Sequence, residues 1–197
     1  IAELSGSTRE LLTGERTLLN FIQQLSGVAT VAHIFQEALK GGKTKVLDTR
    51  KTLPGFRTLQ KYAVRVGGGS NHRMGLFDMV LVKDNHIAAA GGVLEALEVV
   101  KKNNAENLMV EMEVESLEDL KKLLHKGVDV IMLDNMSNEM MAEALEIIKE
   151  SGDKVLVEGS GNMTLERAKE IATLGLDYIS VGALTHSVKA LDISMRI

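Results

Sequence analysis

The sequence predicts an α/β fold: a TIM-like barrel of about six parallel strands, open or incomplete, preceded by helices. Two observations carry this expectation. From residue 45 onward, short β-branched runs alternate with amphipathic stretches of helical period, which implies parallel strands joined by right-handed crossovers. Each run also ends in polar or charged groups: Asp48-Thr49-Arg50-Lys51, Lys83, Glu113, Asp134, Glu158-Gly159-Ser160-Gly161 and Gly182. A barrel gathers all its carboxyl-terminal strand ends at one mouth, whereas a doubly wound sheet focuses its ligand at one switch point and would not use six.

Taken in order, "ERTLLNFIQQL" and "VATVAHIFQEALK" each place apolar residues at helical spacing, and "SGVA" between them predicts a break into two helices. The strands are expected at "KVLDT", "MVLVKDN", "NLMVEMEVE", "VDVIMLDN", "KVLVEGS" and "DYISVGA", with helices near 57–66, 92–103, 117–125, 138–150 and 165–174. Ser116 with Asp119 has the pattern of a capping box, and Thr164 that of an N-cap.

Composition narrows the function. The chain has 197 residues, 45% apolar and 25% charged, in the ordinary range of a globular protein. Aromatic residues make up 3% with no Trp, which disfavours a base-stacking nucleic-acid surface. Cysteine is absent, which excludes disulfides, thiolate nucleophiles and Cys-ligated zinc. No apolar run is expected to reach a membrane span of roughly 20 residues. A soluble cytoplasmic setting is the expectation.

The net charge of −4 conceals an asymmetry: residues 43–83 hold nine Lys or Arg against two acids, a local +7 that leaves −11 for the remainder. A cationic block in an acidic protein points to a bound anion. Arg57, Lys61 and Arg65, spaced by four, are accounted for by a solvated helix face. Arg50, Lys51, Arg73 and Lys83 are not. "GGGSNHRMG" (67–75) reads as a mobile glycine-rich active-site loop in preference to a linker, and Lys83 as an anion ligand or a Schiff-base lysine. "EGSGNMT" (158–164) and "VGALTH" (181–186) follow the last two strands, where barrels often bind phosphate on backbone amides freed by glycine. Glu113 and Asp134 are suited to magnesium or to pairing with lysines, although "EMEVE" alternates and could expose its acids. His33, His86 and His125 have no metal-ligand spacing and are expected to be structural.

Together, "GERTLLNFIQQLSGVAT", "LDTRKTLPGFR", "GGGSNHRMGLFD", "VLVKDNHI", "VEMEVES", "IMLDNM", "EGSGN" and "SVGALTHS" resemble the blocks of the quinolinate phosphoribosyltransferase family, in that family's order. The resemblance implies an open barrel preceded by an α/β sandwich domain, working as a homodimer. It implies transfer of phosphoribose from phosphoribosyl pyrophosphate to quinolinate with decarboxylation, in the synthesis of NAD. Quinolinate would lie among Thr49, Arg50, Lys51, His72, Arg73 and Lys83, with Arg16 reaching across from the partner subunit. The 5′-phosphate would lie at Ser160, Gly161, Asn162 and Gly182, near His186. Lys51, Lys83, Glu113 and Asp134 would be catalytic, the two acids also holding Mg2+.

The same resemblance divides the chain. Residues 1–14 are expected to be the tail of the sandwich, 15–185 the catalytic barrel, and 186–197 a segment returning to the sandwich. Most of the sandwich is expected to fall outside this sequence, leaving an apolar barrel face exposed. The alternatives are a paralogous or nicotinate-type phosphoribosyltransferase, and an inactive barrel fragment acting only in association. Four extra cations favour a dicarboxylate over nicotinate, which has one carboxylate to pair.

Overall fold

A computed structural model describes residues 1–196. Six short strands form one all-parallel sheet: β1 (Lys45–Leu47), β2 (Val80–Val82), β3 (Val110–Val114), β4 (Val130–Asp134), β5 (Leu156–Ser160) and β6 (Tyr178–Ser180), in the order β1-β6-β5-β4-β3-β2. The barrel is therefore open between its edge strands β1 and β2, as the sequence predicts. At this seam a single isolated parallel bridge joins Leu47 to Ser70; the Ser70 N–H donates to Val46 O at 2.8 Å and the Asp48 N–H to Ser70 O at 3.2 Å.

The helices are α1 (Thr8–Ala38), α2 (Arg57–Val66), α3 (Asp84–Ala90), α4 (Val93–Asn103), α5 (Leu117–Leu123), α6 (Asn138–Ser151), α7 (Leu165–Ile171) and α8 (Ala183–His186). Ser116, Ser137 and Thr164 each accept a hydrogen bond from the backbone N–H three residues on, a cap that stabilises a helix start by about 1 kcal/mol. The short α3 and α8 follow directly on strand ends and carry too few residues to show a period in sequence.

The expected break at "SGVA" does not occur, and α1 runs unbroken through it. Gly27 serves a different purpose. A Cβ there would lie 2.4 Å from Lys189 O and 2.8 Å from Val188 Cγ1, so glycine lets the carboxyl-terminal segment cross the helix at backbone contact. By length and composition α1 could cross a membrane, contrary to expectation: an 18-residue window has mean hydropathy 1.2. Its polar side chains instead tie it to the barrel. Gln36 donates to Thr44 O at 3.3 Å and accepts from Val46 N–H at 3.1 Å, and Gln23 donates to Ile193 O at 2.7 Å. Its buried residues, Leu19, Gly27, Val28, Ala32 and Phe35, face the barrel side, where it contacts α2, α7, α8 and β1.

The core lies between sheet and helices and is built from residues such as Met112, Ile131, Leu133, Ile171 and Ile179, all fully buried. The other face of the strands points into the barrel. Successive side chains alternate faces, so Leu81, Met132, Glu158, Ser160 and Ser180 share one inner wall and meet at a common cleft.

Candidate active site

At the carboxyl-terminal end of the strands lies a cleft of about 350 Å³. Arg50, Lys51, Arg57, Arg73 and Lys83 line it, with Thr49 and His72. Arg50 and Lys51 leave β1 on a loop fixed by its neighbours, α2 and the α8 turn that follows the adjacent strand β6. The Thr185 hydroxyl donates to Lys51 O at 2.8 Å, while buried Gln60 accepts from Leu53 N–H at 2.9 Å and donates to Thr185 O at 2.8 Å. Arg57 spans two loops, donating to Thr52 Oγ1 at 3.1 Å, Arg50 O at 3.2 Å and Met74 O at 3.1 Å. Arg73 is 7% exposed; burial, and then the neighbouring Arg50, push its guanidinium below the usual value. Cations crowded in this way favour an anion with several oxygens, because each guanidinium can give two parallel charge-assisted bonds to a carboxylate.

Helix α2 departs from expectation. Arg57, Lys61 and Arg65 do not form a solvated face: Arg57 lines the cleft, Arg65 donates to Asn71 Oδ1 at 3.0 Å, and Lys61 is fully buried against Asp48. The 67–75 segment is likewise pinned in place. Gly67 closes to backbone contact with Ala29, and Asp78 accepts from Met74 N–H at 2.6 Å and Gly75 N–H at 2.9 Å.

The acids occupy two separate places. Glu113 is buried: its Oε2 takes Lys83 Nζ at 2.9 Å and its Oε1 the Asp84 N–H at 3.3 Å. Lys83 is thus ion-paired in this structure. Asp134 accepts from the Asn135 side chain at 2.6 Å, and neither it nor Glu113 lines the cleft. Of the three acids of "EMEVE", Glu111 and Glu113 are buried and Glu115 alone is exposed, so the alternation does not carry the first two to solvent.

Beneath the cations sits an acidic pair that sequence reasoning left out of the site. Glu111 and Glu158 are 0% and 1% exposed, and three of their carboxylate oxygens have no hydrogen-bond partner. His72 Nε2 lies 3.0 Å from Glu111 Oε2 and 3.6 Å from Glu158 Oε2, the first contact close in distance but not aligned as a hydrogen bond. Burial pushes Glu111 up to about 7; burial, and then Glu111 itself, push Glu158 up to about 8. Burial also holds His72 below the ordinary imidazole value. Among the described residues these three have metal-ligating proximity. The backbone N–H of Arg73, however, donates to His72 Nδ1 at 2.7 Å, which assigns the ring hydrogen to Nε2. With Nε2 carrying the hydrogen, His72 presents an N–H to the two buried carboxylates.

Across the cleft, Ser160 and Ser180 line the wall contributed by β5 and β6. Gly161 has φ +88°, and a Cβ there would lie 2.2 Å from Asn135 Oδ1, so the turn accepts only glycine. Asn162 follows with φ 43°, exposed to solvent. Arg167 of α7 stitches this turn to the one after β4, donating to Gly161 O at 2.8 Å, to Asn138 Oδ1 at 3.1 Å and to Met136 O. Gly182 sits between Lys51 Cδ and the His186 ring, each 3.1 Å from where its Cβ would be. Arg16 is exposed on α1, away from the cleft lining.

The structure thus brings Thr49, Arg50, Lys51, His72, Arg73, Lys83 and Ser160 together on one cleft, with Gly161 and Gly182 in its turns. Arg57 and Glu158 also line it. Glu158 stands before the glycine turn in sequence, and the signal that could have found it is its position on the same strand face as Ser160.

Residues 28–196 match the family described as quinolinate phosphoribosyl transferase, C-terminal domain. The chain is 49% identical over 192 residues to a nicotinate-nucleotide pyrophosphorylase (carboxylating) of Mycobacterium leprae, covering 98% of this chain and 67% of that protein. It is 45% identical to a probable nicotinate-nucleotide pyrophosphorylase (carboxylating) of Bacillus subtilis, covering 100% and 67%. The crystal structure of NadC from Streptococcus pyogenes superposes with a TM-score of 0.90 at 48% identity, covering 97% of this chain and 66% of that one. The nicotinate-nucleotide pyrophosphorylase of Francisella tularensis gives 0.88 at 50% identity, covering 94% and 65%. The chain spans about two thirds of the length of these relatives. It belongs to the quinolinate phosphoribosyltransferase family, whose carboxyl-terminal domain matches residues 28–196.

Proposed function

We propose that this barrel transfers phosphoribose from phosphoribosyl pyrophosphate to quinolinate and releases carbon dioxide, giving nicotinate mononucleotide and pyrophosphate for NAD synthesis. The observation that carries the reading is the cleft itself. Arg50, Lys51, Arg57, Arg73 and Lys83 converge on one side, and the glycine turns with Ser160 and Ser180 stand on the other. A pyridine dicarboxylate fits the first side and a sugar phosphate the second. Nicotinate would leave part of the cationic wall unpaired.

In the first step the pyridine nitrogen attacks C1 of the ribose as pyrophosphate leaves with the bonding pair. Positive charge grows on the sugar, and fixed carboxylates beside it stabilise that charge without reorganising. Glu113 and Asp134, at strand ends just outside the cleft lining, are the candidates. In the second step the bond from ring carbon 2 to its carboxylate breaks, its electron pair stays on carbon 2 beside the new pyridinium nitrogen, and a proton replaces the lost carbon dioxide. The pyridinium charge stabilises that pair, so the step needs no metal as electron sink.

Magnesium fits the donor set in part. Glu113 and Asp134 offer hard oxygens, but Glu113 is already engaged on both, so the ion would take most of its ligands from pyrophosphate and water. When bound it would neutralise charge on the leaving pyrophosphate. The working unit of this proposal is a cytoplasmic homodimer, in which exposed Arg16 is assigned to the partner's cleft.

Quinolinate labelled in its 2-carboxylate tests the reading. Labelled carbon dioxide should appear only when phosphoribosyl pyrophosphate and magnesium are both present. Release without phosphoribosyl pyrophosphate, or turnover of nicotinate in preference to quinolinate, would sink it.

A further inference from the structure

The barrel's seam carries the cationic wall, yet among the described residues the seam has only one strand bridge. Thr49, Arg50 and Lys51 stand on the β1 side, His72 and Arg73 on the other. Besides that bridge and Arg57, which donates to Arg50 O and Met74 O, a buried set of side chains joins the two arms from behind. Asp48 and Lys61 form an ion pair with side-chain exposures of 0% and 1%. Asp48 Oδ1 accepts from Lys61 Nζ and, at 3.0 Å, from the His72 N–H, while its Oδ2 accepts from the Asn71 amide. Lys61 Nζ also donates to His72 O at 2.8 Å, and Asn71 Nδ2 donates to Lys61 O at 2.9 Å. His72 is therefore held by both its N–H and its C=O.

A buried ion pair adds little stability over apolar residues of similar volume, because desolvation offsets the attraction. Apolar packing, though, has no directionality with which to fix the spacing of two loops that no sheet ladder joins. Neither Asp48 nor Lys61 lines the cleft. We propose that Asp48, Lys61 and Asn71 form a clasp of positioning residues that sets the distance between the two cationic arms, and so selects an anion with two adjacent carboxylates over one with a single carboxylate. The clasp rests on the functional reading above and deepens it by assigning its substrate specificity to residues outside the cleft.

Calorimetric titration of the folded chain with quinolinate, nicotinate and ribose 5-phosphate tests this, comparing the unaltered protein with Asp48→Asn, Asp48→Leu/Lys61→Met and Asn71→Ala. Asp48→Asn strands a buried lysine and should lower Tm. The double variant removes both charges and should recover part of that Tm, less the cost of the His72 N–H and C=O left without partners, yet bind quinolinate more weakly by on the order of 10²-fold, the scale of a 1 Å misplacement. Its preference for quinolinate over nicotinate should shrink, with ribose 5-phosphate binding unchanged. Asn71→Ala, which keeps the ion pair, should shift the same preference by less, and it decides the matter if the double variant does not fold. A folded double variant with unchanged quinolinate affinity would overturn the clasp. So would equal weakening of all three ligands, the mark of a merely structural role. If the unaltered protein showed no preference for quinolinate, the functional reading itself would fall, and the clasp with it.

Discussion

The two walls of the cleft are built from different parts of the chain's chemistry. On the β5–β6 side the binding surface is main chain: tight turns at Gly161 and Gly182, with two serine hydroxyls, braced from outside by Arg167. On the seam side it is almost all side chain, five cations whose spacing depends on buried polar partners. A backbone surface is set by φ and ψ and tolerates substitution wherever a Cβ fits. A side-chain surface fails when any hidden partner is removed. Phosphate, one group with threefold symmetry, suits the first; two fixed carboxylates need the second.

Breaking each wall separately should expose this difference. The largest effect is expected at Arg73, which is buried and central to the cationic wall. Arg73→Met should lower kcat/KM for quinolinate by about 10²–10³-fold, the scale of truncating one partner of a buried charge pair. The KM for phosphoribosyl pyrophosphate should barely move in steady-state kinetics. Gly161→Ala is its counterpart. A Cβ 2.2 Å from Asn135 Oδ1 must displace the turn, so the KM for phosphoribosyl pyrophosphate should rise by about 10–10²-fold with quinolinate affinity retained.

Smaller changes sharpen the comparison. Arg167→Met removes the brace and leaves Gly161 O and Met136 O without their donor; a loss of about 2–3 kcal/mol is expected in denaturant unfolding, accompanied by weaker ribose 5-phosphate binding. Ser137→Ala, a cap remote from either wall, should cost about 1 kcal/mol and leave both KM values alone.

The acidic pair gives a pH signature. Its carboxyls are raised above the ordinary value of 4.5, to about 7 and about 8, so the folded state binds more protons than the unfolded state in that window. Stability present at low pH is therefore lost as pH rises from about 4.5 to about 8. Glu158→Gln should flatten this slope and exceed the unaltered protein in Tm at pH 8.5. Thermal melts across pH would show it, and an unchanged slope would contradict the assignment.

What the sequence revealed follows from range. Strand ends and helix caps are local, and the run of polar groups at each strand end was enough to indicate the mouth and most of the cationic wall. Long-range partners were hidden. Lys61 sits four residues from both Arg57 and Arg65 and looks like a solvated stripe; its burial depends on Asp48, thirteen positions earlier on another element. Glu111 reads as one outward acid in an alternating run, because nothing in "EMEVE" says that the inner face of this strand is polar. Gly27 has the look of a helix stop because its contact lies more than 160 residues away, at Lys189. Arg57 looks like part of the same stripe for the same reason, its cleft partners Arg50 and Met74 lying on other loops.

The central claim is that the dicarboxylate belongs to the seam and the phosphate to the glycine turns. A crystal structure with quinolinate and ribose 5-phosphate bound together tests it most directly. Both pyridine carboxylates should contact Arg50, Lys51 and Arg73, and the phosphate should meet Ser160 and the backbone at Gly161 and Gly182. Quinolinate bound against the β5–β6 turns, or phosphate seated among the seam cations, would contradict the account.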